Sequence, residues 1–164
     1  MMIEITFREF FEYTYPDDEC YDLYILKNGL GEVLYIGISS DNIWNRWFGW
    51  RGHITVGPNY LIGESSVGEK LVDHLPDSWN WKIQLWTFEN CKAFCADELN
   101  PNGRYDIKWL EPIMIQKLRP SLNVIYNLNP GVDNMPLSER EKKRQDALDK
   151  AYRDIFEKNS KWKK

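Results

Sequence analysis

Positive charge is in short supply: 21 Lys and Arg stand against 25 Asp and Glu, a net charge of −4. That argues against a protein whose whole surface grips a polyanion, because phosphate binding draws affinity from neutralising cations. Histidine and cysteine are scarcer, with two and three copies. Cys91 and Cys95 are one helical turn apart rather than spaced as a zinc knuckle, and both histidines lie elsewhere. A zinc centre is therefore not expected. The odd count, which includes Cys20, suits reduced thiols in a cytoplasmic protein. Also missing is any run long and apolar enough to span a bilayer, so no membrane partner is expected. The opening MMIEITFREFF carries Glu4 and no basic stretch ahead of its apolar residues, which predicts no secretory leader. Repeats, low-complexity tracts, a helix-turn-helix and zinc fingers are absent from the pattern.

What the chain does have is aromatic bulk. Eight tryptophans, and aromatics at 15% of 164 residues, give a large buried area to a small domain. One domain with an appendage is expected: 1–130 as the body, with 51–80 as an insertion or elaboration, and 131–164 as a linker and charged helix. Charge follows this division. Residues 137–164 hold ten Lys/Arg and six Asp/Glu, a net of +4, so the remainder has a net of −8.

Along the chain, Thr6-Phe7-Arg8-Glu9 is a capping-box pattern, and Phe7, Phe10 and Phe11 recur at helical spacing. This predicts a short helix over 6–13, closed by Pro16 to Glu19. Ser39, Ser40 and Asp41 offer caps for a helix whose stripe is Ile43, Trp44, Trp47 and Phe48. Gly57-Pro58-Asn59 reads as a turn and 65–75 as a helix weakened by Gly68; the region 51–80 has no assigned role. Trp81 to Phe88 alternates as a strand, a helix follows around 90–99, and Asn100 to Gly103 is a break. Leu110, Ile113, Met114 and Leu118 mark a helix in 106–118 that Pro112 interrupts, so it starts near Glu111 or kinks there. Ser138 to Glu141 caps a last helix to about Asn159. Its apolar face, Leu148, Ala151, Tyr152, Ile155 and Phe156, occupies the second half only, which is expected to dock on the same chain or on a partner, while the first half is solvated.

The most informative stretch is Asp22 to Gly37, DLYILKNGLGEVLYIG. Two β-prone runs flank an Asn-Gly pair, which predicts a hairpin. Closing the turn symmetrically on residues 29 and 30 makes Tyr24 and Tyr35 direct cross-strand neighbours. Leu23-Tyr24 and Tyr35-Ile36-Gly37 resemble the two halves of the signature of the GIY-YIG nuclease family. Arg46 on the next helix, Glu111 on a later one, and Asn123 in Pro120-Ser121-Leu122-Asn123 resemble its remaining positions in order, over about residues 20–126. The fold expected is α/β: a central three-stranded antiparallel or mixed sheet flanked by helices, plus a C-terminal helix.

The resemblance implies a metal-dependent endonuclease that hydrolyses phosphodiester bonds in DNA. A single Mg²⁺ (or Mn²⁺) would sit on Glu111, which is how one carboxylate with waters and a phosphate oxygen holds such an ion. Arg46 would clamp the phosphate with its planar fork. Tyr35 would be the favoured general base, with Tyr24 placing the water or phosphate, or the two reversed. Asn123 would orient the site. Asp22, Ile38 and Trp50 depart from the family pattern; His53, near Trp50, is a candidate proton relay or phosphate donor. Three alternatives remain open at this stage: RNA as substrate, a non-enzymatic binding module, and a tail that serves either as a basic arm or as a surface for a second copy or protein partner.

Overall fold

The computed structural model describes residues 2–12 and 21–162. The expected turn at 16–19, together with Tyr13, Tyr15 and Cys20, lies outside the described residues. The hairpin forms from β2 (Leu23–Lys27) and β3 (Val33–Ile38), as the apolar runs predict. Its register differs from the symmetric closure. Asn28 accepts from the amides of Leu30 and Glu32 through its side chain, and Gly31 takes φ +80°, so the turn carries an extra residue. A second shift between Leu26 and Lys27 moves the pairing further. Tyr24 therefore lies opposite Gly37, and Leu26 opposite Tyr35. The two tyrosines still share a face, because the displacement is two residues and the side-chain period of a strand is two. Their rings stack with centroids 6.1 Å apart.

The sheet has four strands, not three, in the order β1–β6–β2–β3, all antiparallel. The expected third strand is β6 (Lys82–Trp86). The addition is β1 (Ile3–Thr6), which pairs with β6. Its four residues alternate over too short a span to be read against the phenylalanine stripe behind them. The short helix α1 (Phe7–Glu12) follows directly, with the Thr6 hydroxyl accepting from the Glu9 amide at 3.1 Å.

Two apolar layers cover the sheet. One face packs Phe7, Phe10, Tyr24, Leu26, Trp47 and Trp81, beneath α1, α2 (Ile43–Phe48) and α3 (Ser66–Asp73). The other packs Leu23, Ile25, Ile36 and Trp86 against α4 (Phe88–Phe94) and α5 (Ile107–Leu118). The cap of α2 is Asn42, one residue past the expected trio, and that of α4 is Thr87, so α4 starts and ends earlier than predicted. Cys91 and Cys95 are buried free thiols on this second face. Helix α5 runs unbroken through Pro112 from its cap at Asp106. Glu111 is thus inside the helix, one turn in, and not at a broken end. After Arg119, which ends α5 with φ +52°, residues 121–122 donate to the carbonyls of Val33 and Leu34 and cover the edge of β3.

The region 51–80 forms a separate hairpin, β4 (Ile54–Val56) and β5 (Leu61–Gly63), with Gly57–Tyr60 as its turn, then α3 capped by Ser65. In the last helix, α6 (Glu139–Trp162), the half expected to be solvated is the one that docks within the chain. Its first half is held to α3: Glu141 contacts Lys70 at 2.9 Å and His74 at 2.5 Å, and Arg144 contacts Asp73 and Glu69. The apolar stripe of its second half is exposed. Ionic pairing, which the sequence pattern could not assign to partners, decided the docking. No described helix is long and apolar enough to cross a membrane.

Lys70 is the hub of this clamp, bridging Asp133 at 3.0 Å and Glu141 with little exposure of any of the three. Burial alone would lower the Lys70 ammonium, but its two acid partners outweigh that and hold it above its ordinary value. Burial would raise Asp133, but Lys70, the Met135 amide and Asn28 hold it below its ordinary value. Lys70→Met should cost about 3 kcal/mol in urea unfolding, since it strands buried acids. The Asp133 contribution is present above its ordinary pKa and lost as pH falls through the depressed one. The Lys70 contribution is present below its ordinary pKa and lost as pH rises through the raised one. The wild-type advantage should therefore fade below about pH 4 and above about pH 10. Removal of 148–164 should cost less than about 1 kcal/mol, because the apolar side chains of that half, Leu148, Tyr152, Ile155 and Phe156, are exposed.

Candidate active site

The site lies where the two layers meet around the edge of β3. There a cavity of about 380 Å³ is bounded by Tyr24 from β2, Tyr35 from β3, Arg46 from α2 and Glu111 from α5. Asn123 and the chain to Tyr126 complete its rim. The four side chains come from points up to 87 residues apart in sequence, yet face one hollow.

Arg46 sits in the last turn of α2, beside the buried Ile43, Trp47 and Phe48. It is half-buried, and its guanidinium has no acid partner among the described residues. Glu111 is also half-buried and without a hydrogen bond or ion pair among them; burial raises its carboxyl above the ordinary value. Asn123 holds the backbone of β3 through its side-chain amide. Its side-chain oxygen accepts from the Ile36 amide and its nitrogen donates to the Ile36 carbonyl, both at 2.9 Å. That amide clamp pins the backbone of β3 between Tyr35 and Gly37.

Tyr24 has no exposed surface beyond the cavity wall. Its ring lies over Gly37, where any Cβ would collide with the phenol, so the position opposite Tyr24 has room only for glycine. The hydroxyl is 2.7 Å from His53 Nε2. His53 is 2% exposed and lies among Trp47, Tyr35 and Tyr24, with ring centroids at 4.7, 5.5 and 6.1 Å. Its other nitrogen, Nδ1, is 2.7 Å from the Ser65 hydroxyl. Of the two roles the sequence left open for His53, contact with phosphate is not supported, because both ring nitrogens are already engaged. Contact with Tyr24 is what it makes.

Burial pushes both phenols above their ordinary value. For Tyr24 the neighbouring Tyr35 and Glu111 add to the rise and Arg46 opposes it. For Tyr35 Arg46 opposes and Glu111 adds. Desolvation, with the Arg46 charge, drives His53 down to about 3, so the imidazole is neutral at any working pH. The departures from the family pattern have local reasons. Asp22 accepts from the Phe88 amide at 2.8 Å and fixes the turn into α4. Trp50 is 88% exposed and carries the Arg51 guanidinium on its ring.

Ser65 is the residue that sequence reasoning missed. The sequence reading placed it only at the start of a helix over 65–75, in a segment with no assigned role. The rim is also unforeseen: Val124 and Ile125 are exposed apolar side chains, and Tyr126 adopts φ +66°, a left-handed conformation costly for a non-glycine residue. No three His, Cys, Asp or Glu side chains cluster as a metal cage among the described residues. No family model, curated protein or solved structure matches this chain.

Two outcomes check this geometry. The His53 C2 proton should hold the neutral shift from pH 8 to pH 5 by NMR; a transition near 6.5 would contradict the burial. Because the folded pKa is depressed, the His53 contribution to stability is complete above about pH 6.5 and falls away towards pH 3. Gly37→Ala should lose about 1–3 kcal/mol in thermal or urea unfolding, through overpacking against Tyr24.

Proposed function

We propose that this protein is a divalent-metal-dependent phosphodiesterase. Within that class, we infer an endonuclease of the GIY-YIG type that cuts DNA. The supporting observation is the convergence of Tyr24, Tyr35, Arg46 and Glu111 on one cavity from four separate elements. An unpaired guanidinium in a half-buried wall is held at a desolvation cost that a bound anion relieves. Its planar fork fits two oxygens of a phosphate.

Hydrolysis requires a deprotonated water, balanced charge on the phosphate and a stabilised leaving oxygen. Arg46 balances charge on the non-bridging oxygens. Proton removal falls to Tyr24, because its hydroxyl is joined to a neutral imidazole that can accept its proton. Tyr35, whose hydroxyl has no hydrogen-bond partner among the described residues and feels the Arg46 charge, positions the water or the phosphate. This takes the reversed of the two assignments that the resemblance allows. Asn123 keeps the β3 backbone, and so both Tyr35 and Gly37, in register with the cavity.

The donor set fits a single Mg²⁺ or Mn²⁺. Glu111 offers one carboxylate facing the hollow with no partner among the described residues, as expected of an ion held mostly by water and phosphate oxygens. When bound, the ion supplies charge neutralisation and stabilises the leaving oxygen. The exposed apolar rim of Val124, Ile125 and Tyr126 suits contact with bases or sugars and favours a nucleic acid over a small phosphate ester. The +4 tail supplies the backbone-neutralising charge that the acidic body lacks.

The test is cleavage of supercoiled plasmid, and of matched linear DNA and RNA, in Mg²⁺. Wild type should nick DNA, and Glu111→Ala and Arg46→Ala should each lose at least about 100-fold. Equal nicking by all three would reveal a contaminant and overturn the reading. Preferential cutting of RNA would move the substrate class. Binding of nucleic acid without cleavage, and without divalent-metal uptake by calorimetry, would leave a binding module.

A further inference from the structure

The pairing of Tyr24 with His53 leaves a chemical difficulty. If His53 accepted the phenol proton and kept it, an imidazolium would sit buried among three aromatic rings, beside Arg46. Burial and the neighbouring guanidinium both oppose that state. A dyad would therefore stall with the proton on the imidazole.

The structure provides a third group. Ser65 Oγ stands 2.7 Å from Nδ1 and is half-buried, between the His53 ring and the surface. The same oxygen caps α3 by accepting from the Gly68 amide at 3.2 Å. A hydroxyl has two lone pairs and one proton. With one lone pair committed to Gly68, the other is available to a proton on Nδ1, and its own proton is free for solvent. The backbone is built to keep these groups together. The His53 amide donates to the Arg46 carbonyl at 3.1 Å, and the His53 carbonyl accepts from Glu64 at 2.8 Å. Gly68 passes so close to the His53 carbonyl that any Cβ would collide with it, which seats the first turn of α3 directly against the histidine.

We propose that Ser65 is a positioning and proton-relay residue of this site: it holds His53 as the Nδ1–H tautomer and carries to solvent the proton that Tyr24 takes from the attacking water. The proposal rests on the hydrolytic reading above. In the resting state the Tyr24 O–H donates to Nε2, and Nδ1–H donates to Ser65. As the water oxygen bonds to phosphorus, its proton passes to the Tyr24 oxygen, the phenol proton to Nε2, the Nδ1 proton to Ser65 Oγ, and the serine proton to bulk water. The bond from phosphorus to the leaving oxygen breaks, and that oxygen departs with the electron pair. One proton leaves the nucleophile and one enters solvent, and Tyr24, His53 and Ser65 are each neutral at the end. Reversed donation along the same three groups then brings one proton from solvent to the departing oxygen, and restores the starting tautomer.

The obvious variant, Ser65→Ala, also removes a helix cap, which by itself destabilises. Ser65→Asn separates the two roles, because asparagine caps helices well and its oxygen accepts from Nδ1–H, yet it cannot pass the proton on. Ser65→Thr keeps the hydroxyl. The experiment measures plasmid nicking by full-length wild type, Ser65→Thr and Ser65→Asn, with unfolding midpoints and solvent isotope effects. It also records the ¹⁵N shifts of His53 in each protein without nucleic acid. Expected are a wild-type midpoint for all three, kcat within about 3-fold for Ser65→Thr, and a kcat loss of about 100-fold with unchanged KM for Ser65→Asn. The multi-proton isotope effect should disappear in the asparagine variant. The ¹⁵N shifts should show protonated Nδ1 and unprotonated Nε2 in wild type. Wild-type kcat in Ser65→Asn, or an Nε2–H tautomer in the wild type, would overturn the relay. Should wild type fail to cleave at all, the hydrolytic reading falls, while the ¹⁵N result still decides whether Ser65 fixes the tautomer.

Discussion

A phenol hydroxyl buried in an aromatic core needs a partner, and much of this molecule is arranged to give Tyr24 one. Leaving such a hydroxyl unpaired costs about 1–3 kcal/mol. Here the partner is His53, which would itself be an unpaired buried group without Ser65. Each satisfied polar atom calls for the next. The chain from residue 49 to 75, which looks like an interruption between β3 and β6 of the four-stranded sheet, is the means of supplying this series. It turns under α2, delivers His53, forms the β4–β5 hairpin, and returns Ser65 at the start of α3. The Lys70 clamp then ties α3 to α6 and to Asp133.

Around this hydrogen-bonded series stand two charges without a partner among the described residues. Arg46 and Glu111 face the same cavity, and neither has a protein partner among the described residues. Arg46 is half-buried, and a half-buried cation without an acid partner costs more than an exposed one. The contrast with Lys70, which collects two carboxylates, sharpens the point. One site spends its ionic interactions on docking helices. The other withholds them, which is the arrangement a binding site for a phosphate and a cation requires. The low polarity of the walls strengthens any interaction made there.

The parts of this arrangement legible in the sequence were those carried by local pattern. The two strands of the hairpin, the aromatic stripe of α2, the strand at 82–86 and the helix carrying Glu111 follow from apolar period and β-propensity. The side chains of Tyr24, Tyr35, Arg46, Glu111 and Asn123 were singled out by their resemblance, in order and spacing, to the GIY-YIG pattern. What local pattern could not give is what depends on contact at a distance. The hairpin register turned on an Asx turn and a glycine with positive φ, which shifted Tyr24 from Tyr35 to Gly37. The strand β1 is defined by pairing with residues about 80 positions away. The docking of α6 by its charged half, against the expectation from its apolar stripe, was decided by Lys70 and Asp73 on another helix. Ser65 became interpretable only once His53 was seen beside it.

The claim on which this account stands is that two phenols, a guanidinium and a carboxylate form one receptor for a phosphate with its metal ion. Crystals soaked with Mn²⁺ and a short phosphorothioate oligonucleotide, measured at the manganese absorption edge, test it most directly. The account predicts one anomalous peak within coordination distance of the Glu111 carboxylate, with a backbone phosphate between Arg46 and the hydroxyls of Tyr24 and Tyr35. A phosphate seated instead along α6, with no manganese at Glu111, would contradict it.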